Sequence, residues 1–344
     1  MTIFILKRLG FMVLTMVVAS FLVFFVEEGL SPGNVARKSL GPYASQESVD
    51  ILYKKLKLDD PIIFAWPPWE SRYVRWAGVL LGIIEDPLAD PELNLGFTDP
   101  RGHKYFGNFG YATLYKEPVN DILWDRLANT ALLAGVAFAI IVPLSMIFGV
   151  LSGMREGSRM DRSLSLTGIV LTSIPEFASG VFFMTIFVVL LKWLPGTSPL
   201  DPTMGSIPSQ LVLPVLVLVA YDFGYVARMV RGSMVEVMTQ AYLRTAVLKG
   251  LRYRRVILRH ALRNAMIAPF TVMLLQVNWL ITGVVVTEVV FAYPGFGRML
   301  LEAALFGDIA LIEAATIVAV FVAVGTQLIG DIGYMLLNPR IRFA

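Results

Sequence analysis

The stretch "LANTALLAGVAFAIIVPLSMIFGVLSGM", residues 127–154, contains no charged side chain. A helix of about 20 apolar residues crosses the roughly 30 Å hydrocarbon core of a bilayer, and this stretch exceeds that length. Composition agrees with this interpretation, because the 344-residue chain is 56% hydrophobic and only 16% charged. Soluble domains typically have about 45–50% apolar and about 25% charged residues. The sequence therefore predicts an integral membrane protein.

Five further segments are long and apolar enough, or nearly so, to cross a bilayer: residues 9–26, 163–191, 202–221, 264–287 and 309–330. Glu176 and Glu313 are the only charged residues within them. Residues 9–26 follow two basic residues, as in a signal peptide, but no small-residue cleavage site comes after them. We therefore expect an uncleaved helix, and the predicted fold class is an all-α polytopic membrane protein with six transmembrane helices.

Basic residues in the loops between these segments indicate the orientation, because Lys and Arg accumulate in short cytoplasmic loops. Residues 228–263, called the basic loop below, contain nine Lys and Arg, whereas the two short loops on the opposite side contain only Lys192 and Arg298. We therefore expect both termini to be cytoplasmic. The predicted organisation is the N-terminus with the first helix (1–29), a large extracytoplasmic segment (30–126), a five-helix core that includes the basic loop (127–335), and a tail (336–344).

The predicted extracytoplasmic segment has two interpretations. Ser45 or Ser48 could cap a short helix that places Val49, Leu52 and Leu56 on one face. Many aromatic residues and dense turn signals follow. The segment could fold as a small lid that packs these aromatic side chains together, or it could present them to a partner outside the cell membrane.

Polar residues within the predicted spans are costly in a bilayer and are therefore functional candidates. Glu176 follows Pro175, which should break or kink the third span. Asn278 lies inside the fifth span, and Glu288 follows its end. Each of these side chains could instead form hydrogen bonds between helices. Small residues allow helices to approach closely, and we expect packing roles for Gly149, Gly153, Gly180 and Gly283.

Common catalytic signatures are missing from the sequence. It contains no phosphate-binding loop of the Gly-x-x-x-x-Gly-Lys type, no Gly-x-Ser-x-Gly elbow and no His-Glu-x-x-His motif. It has no cysteine, and its two histidines, His103 and His260, lie far apart. We therefore expect no catalytic residue, no metal site and no cofactor bound by this chain, which indicates a conduit.

The basic loop overlaps the stretch "QAYLRTAVLKGLRYRRVILRHALRNA", residues 240–265, which has no acidic residue. Helix-forming residues precede and follow Gly250, which predicts two short helices around a glycine hinge. Nucleic-acid binding is improbable because membrane helices tether both ends. The loop could mark the cytoplasmic side by interacting with lipid headgroups, or it could dock into a groove of a cytoplasmic partner through an apolar face rimmed by arginines.

This stretch resembles the coupling loop of the inner-membrane permease subunits of peptide-type ABC importers. Residues that match the pattern of that family are Tyr242, Ala246, Lys249, Gly250, Arg259, His260, Ala261, Arg263, Asn264 and Ala265. Four further stretches are similar to the family: "GSRMDR" (157–162), "SIPEF" (173–177), "TEVVFAYPGFGRMLLEAALFGD" (287–308) and "NPRIRF" (338–343). The chain departs from the general importer pattern at Arg244 and Thr245, where Glu-Ala is usual.

The resemblance implies the type I importer fold and one half of a heterodimeric pore in a bacterial inner membrane. Its implied partners are a second permease subunit, two ATP-binding subunits, an extracytoplasmic solute-binding protein and the lipid bilayer, with ATP and magnesium bound by the ATP-binding subunits. The implied substrates are peptides or peptide-like solutes.

Two sets of residues receive roles from the resemblance and from the polar residues in and near the predicted spans. Those expected to couple to the ATPase are Tyr242, Ala246, Lys249, Gly250, Arg255, Arg259, His260 and Arg263. Those expected to line or gate the pore are Glu176, Asn278, Glu288, Phe291, Pro294 and Gly295. The alternative hypothesis is an ion- or proton-coupled secondary transporter that uses the membrane carboxylates Glu176, Glu288 and Glu313.

Overall fold

Helices form nearly all the regular structure of the chain. The computed structural model describes residues 2–29, 32–40, 43–55, 57–85, 104–282 and 284–337. The helices in the first half are α1 (Thr2–Phe24), α2 (Pro32–Leu40), α3 (Gln46–Lys55), α4 (Arg72–Leu80), α5 (Val119–Gly153), α6 (Arg159–Ser173) and α7 (Glu176–Met184). Those in the second half are α8 (Ile207–Met238), α9 (Ala241–Leu248), α10 (Tyr253–Arg255), α11 (Leu262–Ala265), α12 (Ile267–Thr282), α13 (Val285–Val290), α14 (Phe296–Phe306) and α15 (Ile309–Leu337).

Shorter elements join or extend these helices. π-helical turns follow α1, α7 and α10, at Phe25–Gly29, Thr185–Leu190 and Val256–Ala261, and 3-10 turns form at Pro68–Glu70 and Pro202–Met204. Strands β1 (Tyr111–Ala112) and β2 (Glu117–Pro118) pair antiparallel, with Tyr111 opposite Pro118 and Ala112 opposite Glu117.

The structure contains four or five candidate membrane spans among the described residues, so the expected six are not confirmed. Within the described residues, four helical segments are long and apolar enough to cross a bilayer: Leu6–Glu28, Val119–Gly153, Ile207–Met238 and Ile309–Gly333. The pair α6 and α7 meets at 97° and makes a fifth span only if both helices are taken together. The predicted segment 264–287 is divided, because α12 ends at Thr282 and α13 begins at Val285.

Proline explains the bend between α6 and α7. The residue before a proline avoids the helical region of backbone conformation, and Ile174 is extended, with φ of −84° and ψ of 125°. The chain therefore leaves α6 at Ile174 and starts a new helix after Pro175. The break expected at this proline is confirmed.

The described residues divide into two compact units. The first comprises residues 1–128 with 298–322. Its small core joins α2, α3 and the start of α15 through Val35, Ala36, Val49, Leu52, Leu58 and Ile309. The expected cap of α3 is confirmed, because the Ser48 N–H donates to Ser45 Oγ at 3.2 Å. Leu56, expected on the same face, lies outside the described residues.

Eight aromatic residues of the first unit form two groups that differ in exposure. Phe21, Phe24, Tyr73 and Trp76 form ring contacts with centroids 5.3–5.8 Å apart. Four other aromatic side chains are almost fully exposed: Tyr43, Phe64, Trp66 and Phe106. One group therefore packs internally, and the other is available at the surface.

The second unit comprises residues 129–297 with 323–344. Its largest core packs α5 and α8 with α12 around Leu133, Ile141, Leu218, Phe223 and Met273. Glycines bring the helices together, because a Cβ added to Gly149 of α5 would lie 2.6 Å from the Val230 Cβ of α8. A Cβ added to Gly153 would likewise lie 2.7 Å from the Cβ of Met234. The packing roles expected for these two glycines are confirmed, whereas Gly283 lies outside the described residues.

Candidate coupling site

The candidate coupling site, which we define as residues 240–265, comprises most of the basic loop and the two residues that follow it. Helix α8 extends well beyond the predicted span and ends at Met238, and α9 begins at Ala241 after an extended Gln240, with φ of −70° and ψ of 137°. The chain therefore turns sharply between a membrane-spanning helix and a short helix, so that the position of α9 depends directly on the end of α8.

Helix α9 has one face against its own chain and one face exposed. Leu243 and Ala246, three positions apart, are buried with Met234 at the end of α8. Tyr242, Val247 and Leu248 are exposed, and Leu248 retains 80% of its accessible surface. Ala246 therefore holds α9 on the permease, and the exposed apolar residues present a separate surface.

Gly250 ends α9 in a left-handed backbone conformation. Its φ is +76°, a region that residues with a side chain enter only at a cost. The Gly250 N–H donates to the Val247 carbonyl at 2.9 Å, which closes the last turn. No atom lies within 4 Å of where a Cβ would be. The glycine is thus required by backbone conformation and not by lack of space.

The chain after Gly250 forms the second limb of the site. It consists of α10, the π-helical turn and α11 in direct succession. Val256, Ile257, Ala261 and Ala265 are buried together with Leu243 and Ala246. The exposed basic side chains of this limb are Arg252, Arg254, Arg255, Arg259 and Arg263. The apolar and cationic faces expected from the sequence are therefore both present.

Two hydrogen bonds fix the limbs relative to each other and to α8. Asn264 Nδ2 donates to Tyr242 Oη at 2.8 Å, joining α11 to α9, and also to the His260 carbonyl at 3.1 Å. Ser233 Oγ donates to the Ala265 carbonyl at 2.6 Å, joining α8 to α11. His260 is half-buried within this framework. These bonds hold the two limbs of the site against each other and against α8.

A buried ion pair, Asp161–Arg231, supports the same end of α8 and was not identified from the sequence. Arg231 Nε and Nη2 donate to Asp161 Oδ1 at 2.6 Å and Oδ2 at 2.8 Å, a bidentate geometry. The Asp161 side chain is only 3% exposed. It also accepts hydrogen bonds from the Ser152 hydroxyl of α5 and from the Gly157 N–H at 2.8 Å. This carboxylate therefore connects α5, α6 and α8.

One local signal for Asp161 was available in the sequence. Ser158 caps α6 by accepting a hydrogen bond from the Asp161 N–H at 3.1 Å, a pattern visible in "GSRMDR". The pairing with Arg231 joins residues far apart in the chain, so spacing alone does not predict it.

The residues expected to line or gate a pore lie in the second unit. Three of them, Phe291, Pro294 and Gly295, lie between α13 and α14. Glu288 is fully buried and accepts a hydrogen bond from the Thr130 hydroxyl. Phe296 N–H donates to that same hydroxyl at 2.7 Å. A Cβ on Gly295 would overlap the Glu288 carboxylate. Glu288 thus holds the turn "AYPGF" against α5, and in this conformation it faces the interior of its own unit.

Other members of this set have separate positions. Phe291 is fully buried, and its carbonyl accepts the Ser198 N–H at 2.8 Å, while the Pro294 carbonyl accepts Asn129 Nδ2 at 2.9 Å. Glu176, at the start of α7, accepts hydrogen bonds from the N–H (3.1 Å) and the hydroxyl of Thr287. Asn278 belongs to α12, but its side chain lies outside the described part of the structure.

Comparison with known proteins identifies the family. Residues 145–343 match the family described as binding-protein-dependent transport system inner membrane component. A relative in Brucella abortus (strain 2308) is named as a candidate peptide transport system permease protein. It is 33% identical and aligns over 100% of both chains. The oligopeptide transport system permease protein AppB of Bacillus subtilis (strain 168) is 30% identical over 93% of both chains. The glutathione transport system permease protein GsiC of Shigella flexneri serotype 5b (strain 8401) is 30% identical over 99% of both.

The fold is also similar to a solved structure, the inward-facing MetNI methionine ABC transporter. That likeness has a TM-score of 0.49 and 17% sequence identity, and it covers 64% of this chain and 96% of that one. The assignment rests on the sequence matches, which extend over the whole chain and include the coupling site. The chain belongs to the family of inner membrane components of binding-protein-dependent transport systems, as a permease subunit of the ABC importer kind.

Proposed function

We propose that this permease forms one half of a pore that imports peptides or peptide-like solutes across a bacterial inner membrane, driven by ATP hydrolysis in partner subunits. The observation that carries the proposal is that α9 exposes the apolar side chains Tyr242, Val247 and Leu248, and that the second limb exposes five arginines. Apolar anchors with a charged rim suit a helix that inserts into a groove of another protein.

The mechanism follows from how the site is attached. Closure of an ATPase pair moves whatever docks in its groove, and α9 can transmit that movement only if it is rigidly joined to the membrane helices. The buried contacts of Leu243 and Ala246, the hydrogen bond from Asn264 to Tyr242 and the bond from Ser233 to Ala265 supply that rigidity. Movement of the coupling site would thereby shift the end of α8 and switch the pore between its inward-open and outward-open states.

The basic residues have a supporting role in this proposal. Four exposed basic residues would orient the site against acidic residues of an ATPase: Lys249, Arg255, Arg259 and Arg263. His260 is half-buried, and its carbonyl accepts a hydrogen bond from Asn264. Charged residues at the rim of an interface contribute mainly to association rate and specificity. We therefore assign most of the docking energy to Tyr242, Val247 and Leu248.

The complete importer in this proposal contains a second permease subunit, two ATP-binding subunits that hold ATP and magnesium, and an extracytoplasmic solute-binding protein. Six transmembrane helices of the type I importer kind and cytoplasmic termini complete the arrangement, with the α6–α7 pair as one span and α12 within another. The names of the relatives, which refer to peptides, oligopeptides and glutathione, support a peptide-like substrate. They provide no support for a secondary transporter.

Substitution at position 248 tests the proposal. We expect Leu248→Asp to abolish ATP-driven uptake into proteoliposomes and the stimulation of ATPase activity by the solute-binding protein, because a charge replaces the most exposed apolar anchor. Leu248→Met is the matched control, since it keeps an apolar side chain of similar size and should retain most activity. Equal activity of Leu248→Asp and the unsubstituted importer, with both correctly assembled, would overturn the proposed docking role.

A further inference from the structure

A cavity of about 130 Å³ lies within the first unit. Its polar lining includes Glu28 in the π-helical turn after α1, Arg72 and Trp76 of α4, Asp308 immediately before α15, and Glu313 in the first turns of α15. The volume is roughly ten times the ~10–15 Å³ that one water molecule requires on the same type of measure. The cavity is therefore large enough for a small organic molecule or a headgroup.

Two deeply buried polar atoms on its wall have no hydrogen-bond partner among the described residues. They are Arg72 Nε, in a residue that is 4% exposed, and Glu313 Oε1, in a residue that is 3% exposed. Buried polar groups in native proteins are nearly always hydrogen-bonded, and each exception requires an explanation. Here one unpartnered atom is a donor and the other is an acceptor, so a single molecule with complementary groups can satisfy both.

Two carboxyl groups on the wall, Asp308 and Glu313, have no cationic partner among the described residues. Asp308 accepts hydrogen bonds from the N–H groups of Leu114 at 2.9 Å and Leu311 at 3.2 Å, whereas Glu313 Oε1 accepts none. Arg72 Nη2 donates to Glu28 Oε2 and to the Glu28 carbonyl, each at 3.0 Å, so these two residues pair with each other. Glu27 is 3.8 Å from Lys38 Nζ. No described Lys or Arg lies within ion-pair distance of Glu313. A cationic group is the natural complement of Glu313.

The rest of the wall indicates the kind of cation. Apolar side chains surround the polar groups: Val35, Leu58, Val79, Leu80, Ile309 and Ala314. No cluster of three or more His, Asp or Glu suited to a metal ion occurs among the described residues. A primary ammonium group has three donors and matches a lone carboxylate, and an acceptor beside it would reach Arg72 Nε.

We propose that this cavity binds a primary ammonium group carried next to an anionic or carbonyl acceptor, with the ammonium on Glu313 and the acceptor on Arg72. Two sources have this chemistry: a free amino acid, and the headgroup of an ethanolamine phospholipid. Occupation of the cavity would connect the π-helical turn after α1 with α4 and α15, because Glu28, Arg72 and Glu313 belong to those three elements. The proposal is independent of the ATPase-docking role assigned to the coupling site.

The test uses the full chain in nanodiscs of phosphatidylcholine, with or without phosphatidylethanolamine. Calorimetry measures the binding of glycine, alanine and leucine, and native mass spectrometry counts retained ethanolamine lipids. We expect one of the two sources to bind the unsubstituted chain. Glu313→Gln should weaken that binding roughly tenfold or more, because it removes one charge-assisted hydrogen bond.

Two further variants keep the test decisive. Ala314→Leu fills the cavity without changing Glu313 and should also prevent binding. Glu302→Gln is the matched control, because Glu302 belongs to the same unit but does not line the cavity. Glu302 accepts hydrogen bonds from Arg298 Nε at 2.8 Å and from Tyr115 Oη at 2.5 Å. The Glu302→Gln variant should bind like the unsubstituted chain. Absence of binding by both sources, or unchanged binding in Glu313→Gln and Ala314→Leu, would overturn the proposal.

Discussion

At the scale of single residues, Gly250 shows how one backbone angle can control a docking element. Its φ of +76° closes α9 and directs the chain into the second limb, while the space around it is open. Backbone conformation and steric access thus make opposite demands on a substitution here. A side chain fits the space but is strained by the angle.

We predict that Gly250→Val strongly reduces both uptake and coupled ATPase activity, whereas Gly250→Asn retains most of both. Asparagine enters the left-handed region far more readily than a β-branched residue. The measurement is transport and ATPase activity of both variants in proteoliposomes at equal assembly. Equal loss in both would indicate that a side chain obstructs docking, and normal activity in both would contradict a conformational role.

The sequence alone predicted some features of the candidate sites correctly, but it did not show which side chains face the interior of the permease. Gly250 and the alternation of apolar and basic residues were visible in the sequence, because both are local patterns. That Ala246 faces the permease, and that Glu288 faces Gly295 inside its own unit, depends on contacts with distant segments. Only the folded chain reveals those contacts.

At the scale of elements, α5, α6 and α8 are joined by glycine contacts and by the Asp161–Arg231 pair. A Cβ on Gly168 of α6 would lie 3.3 Å from the Gly224 Cα of α8, so these two helices are in backbone contact. The bidentate ion pair lies on the same two helices. The end of α8 therefore moves together with α5 and α6, and the coupling site is attached to that end.

The ion pair can be tested by a double-mutant cycle. We predict that Asp161→Asn and Arg231→Gln each lower the apparent unfolding temperature and uncouple ATPase activity from transport. Each single change removes one partner of a pair whose carboxylate is buried. The expected cost is about 2–3 kcal/mol, below the ~3–5 kcal/mol of fully buried pairs because Arg231 reaches solvent. The double variant should lose less than the sum, and strictly additive losses would show that the two side chains do not interact.

The glycine contacts give a separate prediction with a control on the same helix. Gly149→Ala should destabilise the chain by about 1–3 kcal/mol, because the added methyl group overlaps Val230 of α8. Gly135→Ala, also on α5, has no atom within 4 Å of the new Cβ and should be neutral or slightly stabilising. Thermal unfolding of both variants in the same lipid measures the difference. Similar behaviour of the two would contradict the close packing of α5 on α8.

At the scale of the whole molecule, hydropathy predicted the membrane class and the long spans. It overestimated how far single helices continue without a break. The apolar segments predicted at 127–154 and 309–330 locate α5 and α15 well, because one continuous helix covers nearly all of each segment. The segments at 163–191 and 264–287 have similar composition, yet Pro175 divides the first, and the second changes helix after Thr282. Mean hydropathy does not register such breaks, because they depend on backbone conformation.

The bent α6–α7 pair decides the topology, and cysteine labelling can resolve it. The chain has no cysteine, so single cysteines are unique probes. We predict that Tyr43→Cys reacts with a membrane-impermeant reagent from outside and that Leu258→Cys reacts only from the cytoplasm. Three spans must then separate them: α5, the α6–α7 pair and α8. Labelling of both from the same side would mean that the bent pair does not cross the membrane.

The most direct test of the central claim is a crosslink from the coupling site to an ATPase subunit. Leu248→Cys carries a photoreactive group, and Phe106→Cys, equally exposed but on the predicted outer side, carries the same group as the control. The importer is assembled with its partner subunits and irradiated, and the products are identified by mass spectrometry. We predict an ATPase adduct at position 248 and none at position 106. Absence of an ATPase adduct at position 248 in an importer that is active before irradiation would contradict the central claim.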